Sequence, residues 1–454
     1  MAEQLSKAEL ERLARKHLWP CFSPLSETGS YPLIVRGDGC YVFDDDGKRY
    51  LDGLAGLFLS NVGHGRTELA EAAYEQANKL HFFPLWTFMH PTAITLAAKL
   101  ASMAPGDLNR VFFGSGGGDA VETAWKLIKQ YFRVKGQPDR YKVIARNTAY
   151  HGTTLGALSI TGIPEIRDPY KPLVPGAFHA RNTHAYLEKE QGEELAEACA
   201  HDIERIILQE GPDTVAAVFL EPVQNAGGCL VPPPTYFQRV RQICDRHGVL
   251  LVSDETICAF GRLGHMFGCE RYDYQPDIIT CAKGLTSGYA PLGATIVSDR
   301  IAEPFVDSGE TFMHGITYGG HPIGCAVALA NIELMEREDL PGRVLRYEDA
   351  FRSELDTLYD LKFVGDIRGA GYFYGIELVK DSASGERFSK RECKRLLGEI
   401  LSPRTFELGL ICRTEDKAEP VIQLAPPLVA GPEEFREIVQ ILRQAITEAQ
   451  EAMG

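Results

Sequence analysis

Lys283 stands immediately after the apolar run Ile278, Ile279, Thr280, Cys281, Ala282, and glycine-rich, nearly uncharged sequence follows it. An amine carried to the end of a buried strand is drawn out of water. Burial disfavours its charged form and exposes the neutral, nucleophilic amine. Two further apolar runs end on carboxylates, "VLLVS" on Asp254-Glu255 and "VAAVFL" on Glu221-Pro222. Taken singly, these acids read either as N-caps of the helices that follow or as acids held beside a cationic ligand. A fourth run, "RVFF", ends in "GSGGGDAVETAWK", where Gly116, Gly117 and Gly118 lead straight into a helical pattern. Such a loop is either a flexible turn or a cradle whose N–H groups meet a phosphate at the positive end of a helix.

Together these stretches bring a reactive amine, a carboxylate and an anion cradle to strand ends. A neutral amine attacks an aldehyde, a carboxylate beside a pyridine nitrogen keeps that nitrogen protonated, and a phosphate site anchors the far end of the molecule. The cofactor that demands all three is pyridoxal 5′-phosphate, held as a lysine Schiff base with an acidic partner for its ring nitrogen.

A sheet must deliver these groups. Between about 110 and 300, apolar runs alternate with amphipathic stretches: "RVFFG" (110–114), "KVIAR" (142–146), "VAAVFLEP" (215–222), "VLLVSDE" (249–255), "DIITCAKG" (277–284) and "GATIVSD" (293–299). The runs are apolar throughout, as in strands covered on both faces. Val121, Trp125, Ile128 and Phe132, and again Phe237, Val240 and Cys244, recur at helical spacing. The alternation predicts an α/β layer with a mostly parallel sheet, in which ligands bind at the carboxyl ends of strands. The flanks differ. "VFDDDGKRYLD" predicts a hairpin around Asp46-Gly47, and "PEEFREIVQILRQAITEAQEAM" a long amphipathic helix. Residues 1–75 and 335–454 are therefore expected to form one smaller α+β domain from both chain ends, with 76–334 as the large domain.

The chain has 454 residues and a net charge of −15, which argues against nucleic acid or anionic membrane as a partner. No run approaches the roughly 18 apolar residues of a membrane helix. The mixed charges of "MAEQLSKAELERLARKHLWP" do not resemble a signal peptide. Eleven cysteines, none spaced C-x-x-C, suit reduced thiols and a cytoplasmic location, and no metal site is expected.

The residues resemble those of class III (ω-amino acid/amine) aminotransferases, of the fold-type I pyridoxal-phosphate superfamily. The similarity runs from "HLWPCF" (17–22) to "APPLV" (425–429), and "LVSDETICAFGRLGHMFGCERYDYQPDIITCAKGL" is its most specific stretch. Asp254 precedes Lys283 by 29 residues, and "YHGTTLGALS", "FLEPVQNAGG" and "HGITYGGHP" follow the family's other motifs. The resemblance implies that Lys283 holds the cofactor and moves the substrate proton. It implies that Asp254 pairs with the ring nitrogen, Gly117 and Gly118 bind the phosphate, and Tyr150 stacks on the ring. Thr317 would reach the phosphate of a neighbouring subunit, implying a homodimer with shared active sites and leaving a tetramer open. Glu221 would lie near the ring or hold its neighbours. The chain departs from the family's loop S-G-[GS]-S-E-A at Gly118 and Asp119, and has Asn225 where glycine is usual.

For substrate, the resemblance implies that Arg413 grips a carboxylate. Relatives that use glutamate and 2-oxoglutarate tend to carry a glutamate where this chain has Ala226. By that analogy alanine and pyruvate are the expected pair. Phe22, Phe58, Trp86 and Phe88 fall where related ω-transaminases line the pocket. The expected reaction is a ping-pong transfer from an ω-amino acid or primary amine to pyruvate. An aminomutase, a dialkylglycine-type decarboxylase and a 2-oxoglutarate transaminase use the same lysine and aspartate. A non-catalytic cofactor-binding regulator would need a basic DNA-binding extension that the sequence does not show.

Overall fold

The computed structural model describes residues 5–25, 32–415 and 419–454. Seven strands form its central sheet: β1 (Leu108–Gly114), β2 (Lys142–Arg146), β3 (Ala177–Ala180), β4 (Val215–Leu220), β5 (Leu250–Asp254), β6 (Ile278–Cys281) and β7 (Gly293–Ser298). Their spatial order is β1-β7-β6-β5-β4-β2-β3. Neighbours from β6 through β3 are parallel, while β7 runs antiparallel to both β6 and β1. Every residue of β4, β5, β6 and β7 is buried. Coverage on both faces explains why these strands read as unbroken apolar runs. β3, "AFHA", was not anticipated: it is a half-buried edge strand of four residues, too short to show a pattern.

The glycine loop opens the helix Gly117–Val134, which buries Val121, Trp125, Ile128 and Phe132 against the sheet as their spacing predicts. Phe237, Val240 and Cys244 are likewise buried on the helix Tyr236–His247.

Two smaller sheets flank this layer. Tyr41–Asp44 and Arg49–Asp52 form the expected hairpin, with Gly47 at φ +80°. Leu410–Ile411 then pairs in parallel with Arg49–Asp52, so both chain ends share one sheet. The other sheet is antiparallel, ordered Val364–Ala370, Phe373–Leu378, Val421–Leu424, Arg413–Glu415. The final helix, Pro432–Met453, buries Phe435, Ile438, Val439, Leu442, Ala445, Ile446 and Ala449, one stripe of a 3.6-residue period. Among the described residues no helix is long and apolar enough to cross a membrane.

Candidate active site

β5 and β6 lie side by side in parallel, with Asp254 in register with Thr280. Both chains of residues therefore leave the sheet at the same carboxyl edge. Beyond it lies a cavity of about 360 Å³ lined by Gly116, Gly117, Gly118, Tyr150, Glu221, Asp254 and Lys283, among others. Six of the expected site residues thus meet at one place.

Lys283 opens a one-turn 3₁₀ helix directly after β6, with φ +42°. A left-handed backbone is unfavourable for lysine, and strain of this kind persists where the surroundings over-determine it. Burial pulls its amine down to about 8, opposed by the Asp254 charge and reinforced by Arg413. Its Nζ lies 5.2 Å from the centre of the Phe58 ring, and the Arg413 guanidinium lies 5.9 Å from the same ring.

Asp254 is almost wholly buried. Its Oδ2 accepts from Nδ1 of His151 at 2.7 Å, and its Oδ1 accepts from the Thr256 hydroxyl at 2.5 Å and the Thr280 hydroxyl at 3.2 Å. Burial alone would raise this carboxyl. The donors, His151 foremost, outweigh it and hold the group below its ordinary value. The adjacent acid has a different task. Glu255 accepts the N–H groups of Gly268 and Cys269, each at 2.7 Å, and burial pushes its carboxyl up to about 7.

Glu221 follows β4 and accepts the Asn225 N–H on Oε2 at 3.0 Å, while its buried Oε1 has no partner among the described residues. Burial raises its carboxyl, against the lowering influence of His151 and Arg146. The two departures from the family pattern acquire roles here. Asn225 accepts from Gln423 Nε2 on its main-chain oxygen at 2.6 Å and, as glycine could not, on its side-chain Oδ1 at 3.3 Å, tying this loop to the Val421–Leu424 strand. Asp119 accepts the Ser115 N–H at 2.9 Å, closing the glycine loop from within the first helical turn.

A Cβ at Gly117 would stand 2.8 Å from Thr256 Cγ2, whereas at Gly118 it would meet only Thr154 at 3.5 Å. The cradle therefore requires glycine at 117 and would tolerate a Cβ at 118. Ala226 is buried in the segment after β4, Arg413 is half-buried on its edge strand and Phe58 is buried, but none of the three is among the residues lining the cavity. Phe22, Trp86, Phe88 and Thr317 are not brought to the cavity by their own chain; all four lie exposed on its surface. Trp86 rests near Gly315, and Phe88 sets its ring edge-on to Phe83 at 5.1 Å.

His151, Thr256 and Thr280 escaped sequence reasoning. The one available signal was the place of His151 beside Tyr150 in "AYHG".

A family profile described as aminotransferase class-III matches residues 25–446. The chain belongs to the class III aminotransferases. It is 57% identical over 447 residues to a probable aminotransferase of Mycobacterium tuberculosis, spanning 97% of this chain and 95% of that one. It is 36% identical to a putrescine–pyruvate aminotransferase of Pseudomonas aeruginosa, over the full length of both. A crystal structure of a thermostable (S)-enantioselective omega-transaminase from Thermomicrobium roseum superposes with a TM-score of 0.93 at 40% identity, covering 98% of this chain and all of that one. The fold is accordingly that of the fold-type I transaminases.

Enzymes of this class depend on pyridoxal 5′-phosphate, and the residues present fit it. The glycine-lined start of an 18-residue helix suits a phosphate. The ionised Asp254 suits a protonated ring nitrogen, and the lowered amine of Lys283 suits an aldehyde. The unpartnered Oε1 of Glu221 offers one more polar contact within the same cavity.

Proposed function

We propose that this aminotransferase moves the amino group of a primary amine or ω-amino acid onto pyruvate in two successive half-reactions. What carries the reading is the convergence of a lowered amine, an ionised carboxylate and a glycine-capped helix N-terminus on one cavity. Bound pyridoxal phosphate supplies an aldehyde for the amino group and a ring that withdraws electrons from the substrate carbon.

The protein's own residues do the rest. Lys283 Nζ takes a proton from the substrate carbon and hands it on, and a base with a pKa near 8 is matched to that task at neutral pH. Asp254, kept ionised by His151 and Thr256, holds a proton on the ring nitrogen set against it. The backbone N–H groups of Gly117 and Gly118 bind the phosphate, with Thr317 of a second copy completing the site. Tyr150 covers the ring. Glu221 either donates to the ring from Oε1 or fixes the Asn225 turn.

A homodimer is in keeping with the surface of the single chain. Trp86, Phe88, Met89, Met313 and Tyr318 are large apolar side chains left exposed by the single chain. Covering them with a second copy buries an apolar patch and brings Phe22, Trp86 and Phe88 toward a shared pocket with Phe58. Arg413 supplies the grip on a substrate carboxylate. Ala226, small and buried, supplies no competing charge from its position, and the full-length similarity to a putrescine–pyruvate enzyme supports pyruvate as acceptor.

The test is product formation by the holoenzyme with 1-phenylethylamine, β-alanine and putrescine as donors, against pyruvate and 2-oxoglutarate. Alanine is expected with pyruvate. Absence of alanine with every donor, or faster glutamate formation from 2-oxoglutarate, would overturn the acceptor assignment. Arg413→Ala is expected to raise KM for pyruvate and β-alanine at least tenfold more than for 1-phenylethylamine, the scale of one charge-assisted pair.

A further inference from the structure

Arg413 and Glu415 occupy one short strand two residues apart, so their side chains project from the same face. Nη2 of Arg413 lies 2.6 Å from Oε2 of Glu415. The Glu415 side chain is 2% exposed, and that of Arg413 is 33% exposed. The other oxygen of Glu415 accepts the Gly227 N–H at 2.9 Å. Gly227 is itself fixed, because Arg368 donates to the carbonyls of Gly227 at 3.0 Å and Gly228 at 2.7 Å. One oxygen of the carboxylate is therefore tied to the main chain independently of Arg413.

The geometry points to Glu415 as the residue that sets substrate class, by holding Arg413 in a neutralised pair that a substrate carboxylate must outcompete. This deepens the proposed reading, since it assumes that Arg413 is the carboxylate grip. A bare guanidinium would favour acids strongly and repel a second ammonium group on a diamine. Paired with Glu415, it does neither to the full extent, and donors with no carboxylate meet a nearly neutral wall. An acid must offer Arg413 at least what Glu415 gives it, while leaving a buried oxygen without its cation.

The pairing makes an unusual prediction about loss of a charge. Glu415→Gln keeps an acceptor for the Gly227 N–H but removes the competition. Binding of propionate, a carboxylate with neither amine nor oxo group, is measured calorimetrically on the holoenzyme. In Glu415→Gln it is expected to tighten about tenfold, the difference between a charged and a neutral partner for the guanidinium. Glu415→Met removes the same charge without a polar group and gives a second reading if the first variant is recovered poorly. The gain should vanish in the double variant Arg413→Ala/Glu415→Gln. Unchanged or weaker propionate binding in the single variants would overturn the proposal, the weaker case showing that Glu415 orients Arg413 for acids instead. Alanine formation by the wild-type enzyme is scored separately, so failure of the pyruvate assignment is distinguishable from failure of this one.

Discussion

His151 donates from Nδ1 to Oδ2 of Asp254 across 2.7 Å, and both side chains are all but excluded from water. The bond ties the segment after β2 to the end of β5, two points 103 residues apart. It fixes which form of Asp254 the cavity meets. Without it, burial would be opposed chiefly by the Thr256 donors, and the carboxyl would rise.

His151→Phe is therefore expected to lower kcat by roughly tenfold to a hundredfold, the range of a hydrogen bond to a charged group. The sign on stability follows from the depressed Asp254 pKa. That stabilisation is present above the unfolded carboxyl value near 4 and is lost as pH falls through the folded value. The urea midpoint of the variant should thus fall below that of the wild type at pH 7, and the gap should close in acid. Equal midpoints at pH 7 would count against the role given to His151.

Lys283→Met should abolish turnover while leaving the fold intact, as circular dichroism would report. The stability effect runs opposite to that of Asp254. A lysine whose folded pKa is lowered to about 8 costs the folded state stability below that pH, and the cost fades as pH rises from 8 toward the ordinary 10.5. Cofactor-free Lys283→Met should consequently have the higher urea midpoint at pH 7, with the two proteins converging near pH 10.5.

Gly117→Ala puts a methyl 2.8 Å from Thr256 Cγ2, a contact one of them has to leave. Overpacking of this sort costs about 1–3 kcal/mol, so pyridoxal phosphate should bind roughly 5- to 140-fold more weakly in an absorbance titration. Adding Thr256→Ser deletes the offending methyl and keeps the hydroxyl that Asp254 accepts at 2.5 Å. The double variant should recover most of the affinity. No recovery would mean that the glycine is needed for another reason.

If Thr317 serves the partner's site, subunits crippled at Lys283 and at Thr317 should complement each other. A hybrid of Lys283→Ala and Thr317→Ala chains contains one site with both defects and one with neither. Co-expression of differently tagged chains and two-step purification should yield hybrids of about half the wild-type activity per dimer, provided Thr317→Ala alone is weakened. Hybrids no more active than the mean of the parents would place Thr317 outside the partner's site.

Lys283 and Asp254 were legible because doubly covered strands announce themselves as apolar runs, and the polar residue ending such a run has to be at the sheet's edge. The hairpin at Gly47 and the helix Pro432–Met453 were legible for a similar reason, local periodicity and turn chemistry. Contacts set by tertiary register were not. Glu415 reads as one more acid in the polar stretch "RTEDK" until Arg413–Glu415 is known to be a strand, when a spacing of two becomes a shared face. Asn225 gave no clue to Gln423, 198 residues away. The surface positions of Phe22, Trp86 and Phe88 show a further limit, since exposed side chains outside any periodic stripe give the sequence nothing from which to place them.

The parallel pairing of Leu410–Ile411 with Arg49–Asp52 carries a consequence for biosynthesis. The hairpin leaves the ribosome well before Leu410–Ile411 is made, so its open edge waits for a strand far downstream of it. Until then that edge is a bare row of amides and carbonyls, the kind of surface that recruits strands from other nascent chains. Completion of that sheet is thus bound to follow synthesis of Leu410–Ile411, however early its hairpin forms.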